Sequence, residues 1–263
     1  MPELPDVEVF KRYLDATALH KSIQKVEVED NRVLRDLTVQ KLKRRLRGQK
    51  IHHSRRHGKY LLANLVEREW LVLHFGMSGR LKYFKAEYSW PQHSRILLTF
   101  SNGFHLAYVS QRMLGEVGIF SGDLDDFIEE KELGLDAGEI GWDQFKERFK
   151  SRRGSIKSAL MNQQIMAGLG NIYTDEVLFQ ACVHPKTSVP DLDTKQLKSL
   201  FEKMNAVLTT AVDCQADPEK MPDSYLLPHR DKGGRCPRSH GELDRIKINS
   251  RTTFFCSACQ RQP

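Results

Sequence analysis

The spacing of hydrophobic positions changes partway along the chain. Near the start, apolar residues recur on one helical face behind Pro5, which predicts a single early helix: Val7, Phe10, Leu14 and Leu19. Short runs rich in β-branched and aromatic residues follow, each with the length of a strand: Ile23–Val28, Tyr60–Leu65, Trp70–Phe75, Arg95–Phe100, Phe104–Val109 and Val117–Phe120. Ser101-Asn102-Gly103 joins two of these runs as a hairpin turn. Strands this frequent, without helices between them, favour an antiparallel β-sandwich.

The second part of the chain has a helical period. Four of its segments are predicted to be helices: Trp142–Lys150, Ile156–Asn162, Ile172–Gln180 and Thr194–Val212. Beyond Pro218 this period is lost, and the tail contains one alternating stretch, Ile246–Cys256, with Asn249-Ser250 as turn residues. The expected fold class is therefore α+β multidomain, with an N-terminal antiparallel β-sandwich and helix, a C-terminal helical domain and a β-hairpin tail.

Composition restricts the class of protein further. With 263 residues and 40% hydrophobic content, the chain can bury a sizeable core. Its longest clearly apolar stretch, around Trp70–Phe75, is too short to span a bilayer, and the N-terminus lacks the features of a secretory signal. Five cysteines in such a chain argue against a disulfide framework and leave metal binding or free thiols. We therefore expect a cytoplasmic protein.

Charge is unevenly distributed around a net value of +7. Lys41–Lys59 contains nine Lys or Arg residues and no acid, and Arg230–Arg261 contains eight basic residues against three acidic ones. Such segments suit a polyanionic partner. Asp123–Glu139, with eight acids and one lysine, indicates a linker between domains. This pattern predicts three regions: 1–135, 136–228 and 229–263.

The tail contains a candidate metal site. Its ligands follow a C-x3-H pair and, after 15 residues, a C-x2-C pair: Cys236, His240, Cys256 and Cys259. Two close ligand pairs on either side of a strand–turn–strand segment suit a tetrahedral structural zinc. The 35-residue tail has few large apolar groups, so the metal would stabilise its fold. The alternative is two unrelated thiol pairs and a surface histidine.

Gly168-Leu169-Gly170 stands immediately before a predicted helix. A helix N-terminus behind a glycine turn offers free backbone N–H groups and a positive dipole end, which suit a phosphate. Asn171 would then cap the helix or contact the backbone of a nucleic acid. The alternative is a simple glycine turn between two packed helices.

Five segments match one family in the same order along the chain: Met1–Glu8, Gly58–Leu61, His74–Gly79, Gly168–Glu176 and Arg251–Gln260. On these segments the chain resembles the formamidopyrimidine-DNA glycosylase / endonuclease VIII family of base-excision repair enzymes. The Gly170–Glu176 segment is more similar to the formamidopyrimidine branch. The resemblance implies a helix–two-turns–helix domain followed by a zinc finger.

The resemblance also implies an enzyme that excises a flipped-out base and nicks the strand by β,δ-elimination. Pro2 would be the nucleophile after removal of Met1, because an α-amino group with a pKa of about 8 is partly neutral at pH 7. Glu3 would transfer protons. Lys59 would bind a phosphate and act as an acid in elimination, and Arg251 would contact the phosphate at the lesion and assist δ-elimination.

Further residues match the family's DNA contacts. His93, Arg112 and Arg152 match contact positions, and His74 and Lys157 are expected to contact phosphates beside the lesion. A flipped base leaves a gap in the stack, which other side chains must fill. Met77 is the expected wedge, and Arg112 and Leu114 match the two other gap-filling positions.

The chain departs from the family pattern at three places. Ser239 stands where the family usually has a cysteine, so His240 is the expected fourth ligand and His229 a weaker alternative. Leu114 lacks the aromatic face that would stack under the base opposite the lesion. The connection 216–235 is shorter than the loop that covers an everted 8-oxoguanine, which weakens that substrate assignment.

The expected function is therefore that of a DNA glycosylase/AP lyase for oxidised purines, namely formamidopyrimidine and 8-oxoguanine. It would act as a monomer on double-stranded DNA near the nucleoid, with one structural Zn2+. An endonuclease VIII-like preference for oxidised pyrimidines remains open, because the covering loop is short. A non-catalytic protein that binds damaged DNA is the other alternative, which the presence of Pro2, Glu3 and Lys59 opposes.

Overall fold

The computed structural model describes residues 1–85 and 87–261. Its internal contacts divide the chain into two units. The first comprises Met1–Pro2 and Asp6–Lys131, and the second comprises Glu3–Pro5 and the chain from Glu132 onward. The first unit ends at Lys131, four residues before the boundary at position 135 that the sequence predicts. The cysteine-containing tail, which the sequence predicts as a separate region, is part of the second unit.

The early part of the acidic segment folds with the first unit. Helix Leu124–Glu130 buries Phe127, whose ring meets Tyr60 edge-on at 5.3 Å between centroids. Its charged residues remain at the surface, where Arg68 pairs with Asp123 and Asp126. A segment that is acidic in composition therefore still contributes a packed helix, which explains why the linker is shorter than its charge suggests.

The first unit contains two four-stranded antiparallel sheets. In the first sheet the strand order is β1-β6-β7-β5, with bounds β1 Ile23–Val28, β5 Gly79–Lys85, β6 Ser94–Phe100 and β7 Phe104–Ser110. In the second the order is β2-β3-β4-β8, with bounds β2 Ser54–His57, β3 Tyr60–Val66, β4 Glu69–His74 and β8 Glu116–Ser121. Both sheets contribute alternate residues to one hydrophobic core, as a sandwich requires.

Three helices belong wholly or largely to the first unit: α1 Leu4–Ala18, α2 Val39–Leu46 and α3 Leu124–Glu130. Helix α2 lies in the most basic segment, and only Leu42 and Leu46 are buried on it. The predicted turn between β6 and β7 is confirmed, with Gly103 at φ +78°. This conformation is readily adopted by glycine.

The second unit is helical apart from two short sheets. Its helices are α4 Trp142–Lys150, α5 Ile156–Met161, α6 Asn171–Gln180 and α7 Thr194–Asp213. β9 (Leu135–Asp136) pairs in parallel with β10 (Met166–Ala167), and the hairpin consists of β11 (Asp244–Ile248) and β12 (Arg251–Phe255). The hairpin turn predicted at Asn249-Ser250 is confirmed, since both residues have left-handed backbones and connect the two strands.

The core of the second unit is rich in aromatic side chains. Phe145 and Phe149 stack at 4.5 Å on α4, and Phe145 also contacts Phe201 of α7.

Within the described part of the chain, no helix has both the length and the apolar character needed to cross a membrane.

Candidate functional site

Glu3 is fully buried at the N-terminus of α6. Its carboxylate accepts hydrogen bonds from the backbone N–H groups of Gly170 at 2.7 Å, Ile172 at 2.8 Å and Tyr173 at 3.2 Å. The first N–H groups of a helix point away from its own carbonyls, and the positive end of the helix dipole favours an anion there. The sequence predicts an anion site for phosphate behind Gly168–Gly170, whereas the anion that the structure places there is the side chain of Glu3.

The two glycines before α6 make this approach possible. A Cβ atom on Gly170 would lie 2.4 Å from Glu3 Oε1. A Cβ atom on Gly168, whose φ is +120°, would lie 2.6 Å from a methyl carbon of Leu4. The backbone N–H of Leu4 also donates to Gly168 O at 3.0 Å. The glycine turn is therefore shaped to receive the N-terminal segment of the same chain.

Pro2 and Lys59 both belong to the first unit and are half-buried. Pro2 directly precedes Glu3 in the sequence, and Met1 is 40% exposed. Lys59 lies in the tight turn between β2 and β3, after Gly58 at φ +54°. Arg56 fixes this turn, because its guanidinium donates to Gly58 O at 3.2 Å and to Glu8 Oε2 at 3.0 Å.

Two loops of the first unit bring the expected gap-filling residues together. Gly76, at φ +57°, passes so close to the other loop that a Cβ atom would lie 2.3 Å from the carbonyl of Leu114. The backbone N–H of Arg112 donates to Ser78 Oγ at 2.9 Å. The side chains of Met77 and Leu114 nevertheless stay 40% and 55% exposed. Large exposed apolar side chains on interlocked loops are suited to contact a partner.

The three other surface candidates are separately placed. His74 ends β4, and burial lowers the pKa of its imidazole, although the Glu116 carboxylate opposes this shift. His93 is half-buried before β6 with a left-handed backbone. Arg152 follows α4 and is exposed, with its Nε donating to Arg148 O at 3.2 Å. His93 and Arg152 are thus accessible to a ligand, and His74 is accessible in part.

Lys157 is buried and does not lie at the surface, where the sequence predicts it. The sequence predicts a phosphate contact, but its side chain is completely buried. Its Nζ donates to Asn171 Oδ1 at 2.7 Å, to Thr253 Oγ1 at 2.6 Å and to Asp175. Burial lowers the pKa of Lys157, while the Asp175 carboxylate acts in the opposite direction. The ammonium group of Lys157 therefore donates to three acceptors within the protein. One of them is the side chain of Asn171, so Lys157 acts on the site by holding Asn171.

Asn171 and Arg251 are connected through strand β12. The half-buried Asn171 is the first residue of α6, and its Nδ2 donates to Thr252 O at 2.8 Å. Arg251 is exposed at the first position of β12, next to Thr252. The structure thus brings the α6 N-terminus and the hairpin strand together within one unit. The sequence identifies both residues as candidates but not Asp175, which lies with Glu176 in the middle of the predicted helix, between Ile172-Tyr173 and Val177-Leu178-Phe179.

Three of the four predicted metal ligands come together. The Sγ atoms of Cys236, Cys256 and Cys259 lie within 4.8 Å of one another, and those of Cys236 and Cys259 are 3.7 Å apart. A tetrahedral zinc with Zn–S bonds of about 2.3 Å needs S···S separations of about 3.8 Å. The thiol positions therefore fit zinc.

The structure does not bring His240 into this group. His240 is exposed and has a left-handed backbone at φ +58°. Ser239 lies nearer the thiols, with its Oγ 3.3 Å from Cys256 Sγ. Burial disfavours the thiolate of Cys236, but hydrogen bonds from Ser239 and from the backbone lower the pKa of Cys236 to about 7. Burial and hydrogen bonds with Cys256 and Cys236 raise the pKa of Cys259 to about 12. The protein alone therefore favours a thiolate at Cys236 and a thiol at Cys259.

The second unit contains a helix preceded by a glycine turn and a hairpin with cysteines, and it follows a sandwich unit in the sequence. This arrangement is that of the helix–two-turns–helix class, as comparison with known proteins shows. Residues 1–117 match the model of the formamidopyrimidine-DNA glycosylase N-terminal domain, and residues 133–222 match that of its H2TH domain. Curated formamidopyrimidine-DNA glycosylases from Pelotomaculum thermopropionicum and Bacillus subtilis are each 31% identical over 99% of both chains. The chain belongs to the formamidopyrimidine-DNA glycosylase family.

Solved structures agree with this assignment. The Lactococcus lactis Fpg in complex with DNA containing an abasic site is 27% identical, with a TM-score of 0.89 over 99% of this chain and 100% of that one. MutM in complex with DNA containing carbocyclic 8-oxo-G is 28% identical, with a TM-score of 0.87 over the same shares. The similarity therefore covers both units.

Proposed function

We propose that this protein is a bifunctional DNA glycosylase and AP lyase that removes oxidised purines from double-stranded DNA. The observation that carries the proposal is the buried carboxylate of Glu3, the residue that follows Pro2 in the sequence. Three backbone N–H groups of the second unit fix this carboxylate. Family membership and similarity to structures bound to damaged DNA support the same activity.

In the proposed reaction, the nucleophile is the secondary amine of Pro2 after removal of Met1. A neutral amine forms a bond to C1′ of the sugar while the N-glycosidic bond breaks and the base departs with that electron pair. The sugar ring opens at its oxygen, which takes up a proton, and an iminium ion joins Pro2 to C1′. When a proton is removed from C2′, the electron pair of that C–H bond enters the iminium and gives an enamine. The enamine then expels the 3′-phosphate, which leaves with the electron pair of the C3′–O bond.

Glu3 would carry protons between the sugar, the base and solvent during these steps. Its three backbone hydrogen bonds fix the carboxylate at the start of α6. A fixed carboxylate avoids the cost of orienting the group in each reaction cycle. This arrangement requires glycine at position 170, because the Cβ atom of any other residue would overlap Glu3.

The positive residues of the proposed DNA interface would neutralise phosphates. Lys59 would bind a phosphate and act as an acid in elimination, and Arg251 would contact the phosphate at the lesion. The other proposed DNA contacts are His74, His93, Arg112, Arg152 and Asn171. Lys157 would contribute indirectly by holding Asn171. Contacts of this kind position the duplex without reading its sequence.

Met77, Arg112 and Leu114 would occupy the space left by the flipped base. Their loops are interlocked at Gly76 and Ser78, so a duplex would meet a preformed surface. Leu114 offers an aliphatic side chain, which stacks less specifically than an aromatic ring on the base opposite the lesion.

The short connection between α7 and the hairpin favours a second candidate substrate class, the oxidised pyrimidines. This connection is held against α6, because the Glu176 carboxylate accepts from the backbone N–H groups of Leu226 at 3.1 Å and Leu227 at 2.7 Å. A segment anchored in this way has less length available to cover a large everted purine than a long free loop would have.

Zinc would be structural in this protein. We propose that Cys236, Cys256 and Cys259 hold it and that His240, which shares a tight turn with Cys236, turns its exposed imidazole inward as the fourth ligand. The bound metal would fix the base of the hairpin that carries Arg251. We further propose a monomer that acts in the cytoplasm on nucleoid DNA.

An extension before Pro2 tests the nucleophile. A tag fused directly to Pro2 converts its amine to an amide, so borohydride trapping on abasic-site DNA should fall to background. The same tag at the C-terminus is the matched control and should leave trapping intact. Equal trapping by the two proteins would exclude Pro2 as the nucleophile.

Excision from defined duplexes tests the substrate class. Duplexes that contain a single formamidopyrimidine, 8-oxoguanine or oxidised pyrimidine should be processed with the formamidopyrimidine lesion cleaved fastest, measured under single-turnover conditions. Faster release of the oxidised pyrimidine would favour the second candidate class.

The His240→Ala variant tests the fourth ligand. We expect weaker zinc binding, by about tenfold or more, in competition with a chromophoric chelator. The Ser239→Ala variant is the matched control, and its zinc affinity should stay near that of the native protein. If the Ser239 variant loses affinity and the His240 variant does not, the assignment of His240 is wrong.

A further inference from the structure

Arg230 is a half-buried arginine in the connection between α7 and the hairpin, and none of the roles described above involves it. Its Nε and one terminal nitrogen donate to Asp175 Oδ2 at 3.0 and 2.7 Å. The same terminal nitrogen donates to Thr252 O at 3.3 Å. Its guanidinium lies 4.8 Å from the centre of the Phe254 ring. Arg230 therefore contacts both α6 and β12.

Asp175 collects hydrogen bonds from three separate segments. In addition to Arg230, it accepts from the backbone N–H of Phe254 at 3.1 Å and from Lys157 of α5. Its side chain is fully buried. Removing one cationic partner would leave a buried carboxylate less well compensated, so each partner constrains the positions of the others.

The hairpin needs such a constraint near Arg251. A two-stranded hairpin is marginally stable on its own. The cysteine group lies at the other end of β12, where Cys256 follows Phe255. At the Arg251 end, Thr252 O accepts from both Asn171 and Arg230. These two donors hold the backbone carbonyl of Thr252, the residue that follows Arg251, while the Arg251 side chain remains exposed.

We propose that Arg230 is a positioning residue for Arg251. Through Asp175 and Thr252 it fixes the backbone from which Arg251 extends, and so controls the second elimination step. This inference rests on the proposed function, in which Arg251 contacts the phosphate at the lesion. In that step a second sugar proton is removed, the C5′–O bond breaks, and the 5′-phosphate leaves with the electron pair. A guanidinium held at that phosphate neutralises the charge that develops on it.

The test compares δ- and β-elimination products from abasic-site DNA for the full-length protein and its variants. Arg230→Gln should lower the δ-to-β product ratio by about tenfold to a hundredfold, the range expected for a displaced catalytic group. Borohydride trapping and zinc content should remain at native levels, because Pro2 and the thiols are unchanged. Arg230→Lys, which retains the charge but not the forked geometry, should lower the ratio less.

Lys232→Gln is the matched control, because Lys232 is exposed two residues further on and should have no effect on the ratio. The Arg251→Ala background then tests the connection between the two arginines. There, Arg230→Gln should cause no further loss of δ-elimination. A further loss in that background would overturn the inference, as would an equal decrease of trapping and of the δ-to-β ratio in Arg230→Gln alone.

The single variant Arg251→Ala distinguishes a failure of the positioning role of Arg230 from a failure of the proposed role of Arg251. If it lowers the product ratio and Arg230→Gln does not, the positioning role is wrong and the proposed function stands. If Arg251→Ala leaves the ratio unchanged, the role of Arg251 in the proposed function is wrong and the inference is refuted with it. Should Arg230→Gln fail to fold, Arg230→Lys supplies the same comparison.

Discussion

The contact on which the site depends is between the Glu3 carboxylate and the N-terminus of α6. Three backbone N–H groups that a helix leaves without partners donate to this one side chain. The contact assigns Glu3–Pro5 to the second unit, although the helix that begins at Leu4 continues into the first. The contact therefore fixes Glu3, the residue that follows the proposed nucleophile in the sequence, and it requires glycine at position 170.

Further along α6, two more buried carboxylates are held by hydrogen bonds from other segments of the chain. Asp175 binds Lys157, Arg230 and the backbone of β12, while Glu176 binds the backbone at Leu226 and Leu227. Burial raises the pKa of Glu176, and its hydrogen bonds act against that shift. Buried carboxylates are costly unless their oxygens are satisfied. Each acid here is satisfied by a different chain segment, so α6 organises the N-terminal segment, the hairpin and the connection before it.

The spacing of hydrophobic residues along the sequence predicts most of the strands and helices. The elements that it does not predict have physical reasons for lacking the pattern. Strands β3, β4, β6 and β7 were predictable because at least one of their faces is continuously apolar, whereas β2, Ser54–His57, contains only polar residues and is formed by pairing with β3. Helix α2 was missed because just two of its eight residues are buried. Sequence motifs located Glu3, Asn171 and the cysteines, but a lysine that pairs inside the protein looks the same in sequence as one that binds phosphate. Only the structure shows that Lys157 is buried and bonded to Asn171, Asp175 and Thr253, whereas Lys59 is half-buried in the turn between β2 and β3.

In the proposed reaction, catalysis begins at the N-terminal amine of Pro2, next in sequence to the Glu3 carboxylate that α6 holds. The most direct measurement is mass spectrometry of the peptide that remains attached to DNA after borohydride reduction of the complex with an abasic site. We expect the sugar remnant to be attached to the nitrogen of Pro2 in a peptide that lacks Met1. Attachment to a lysine side chain, Lys59 included, would contradict this expectation.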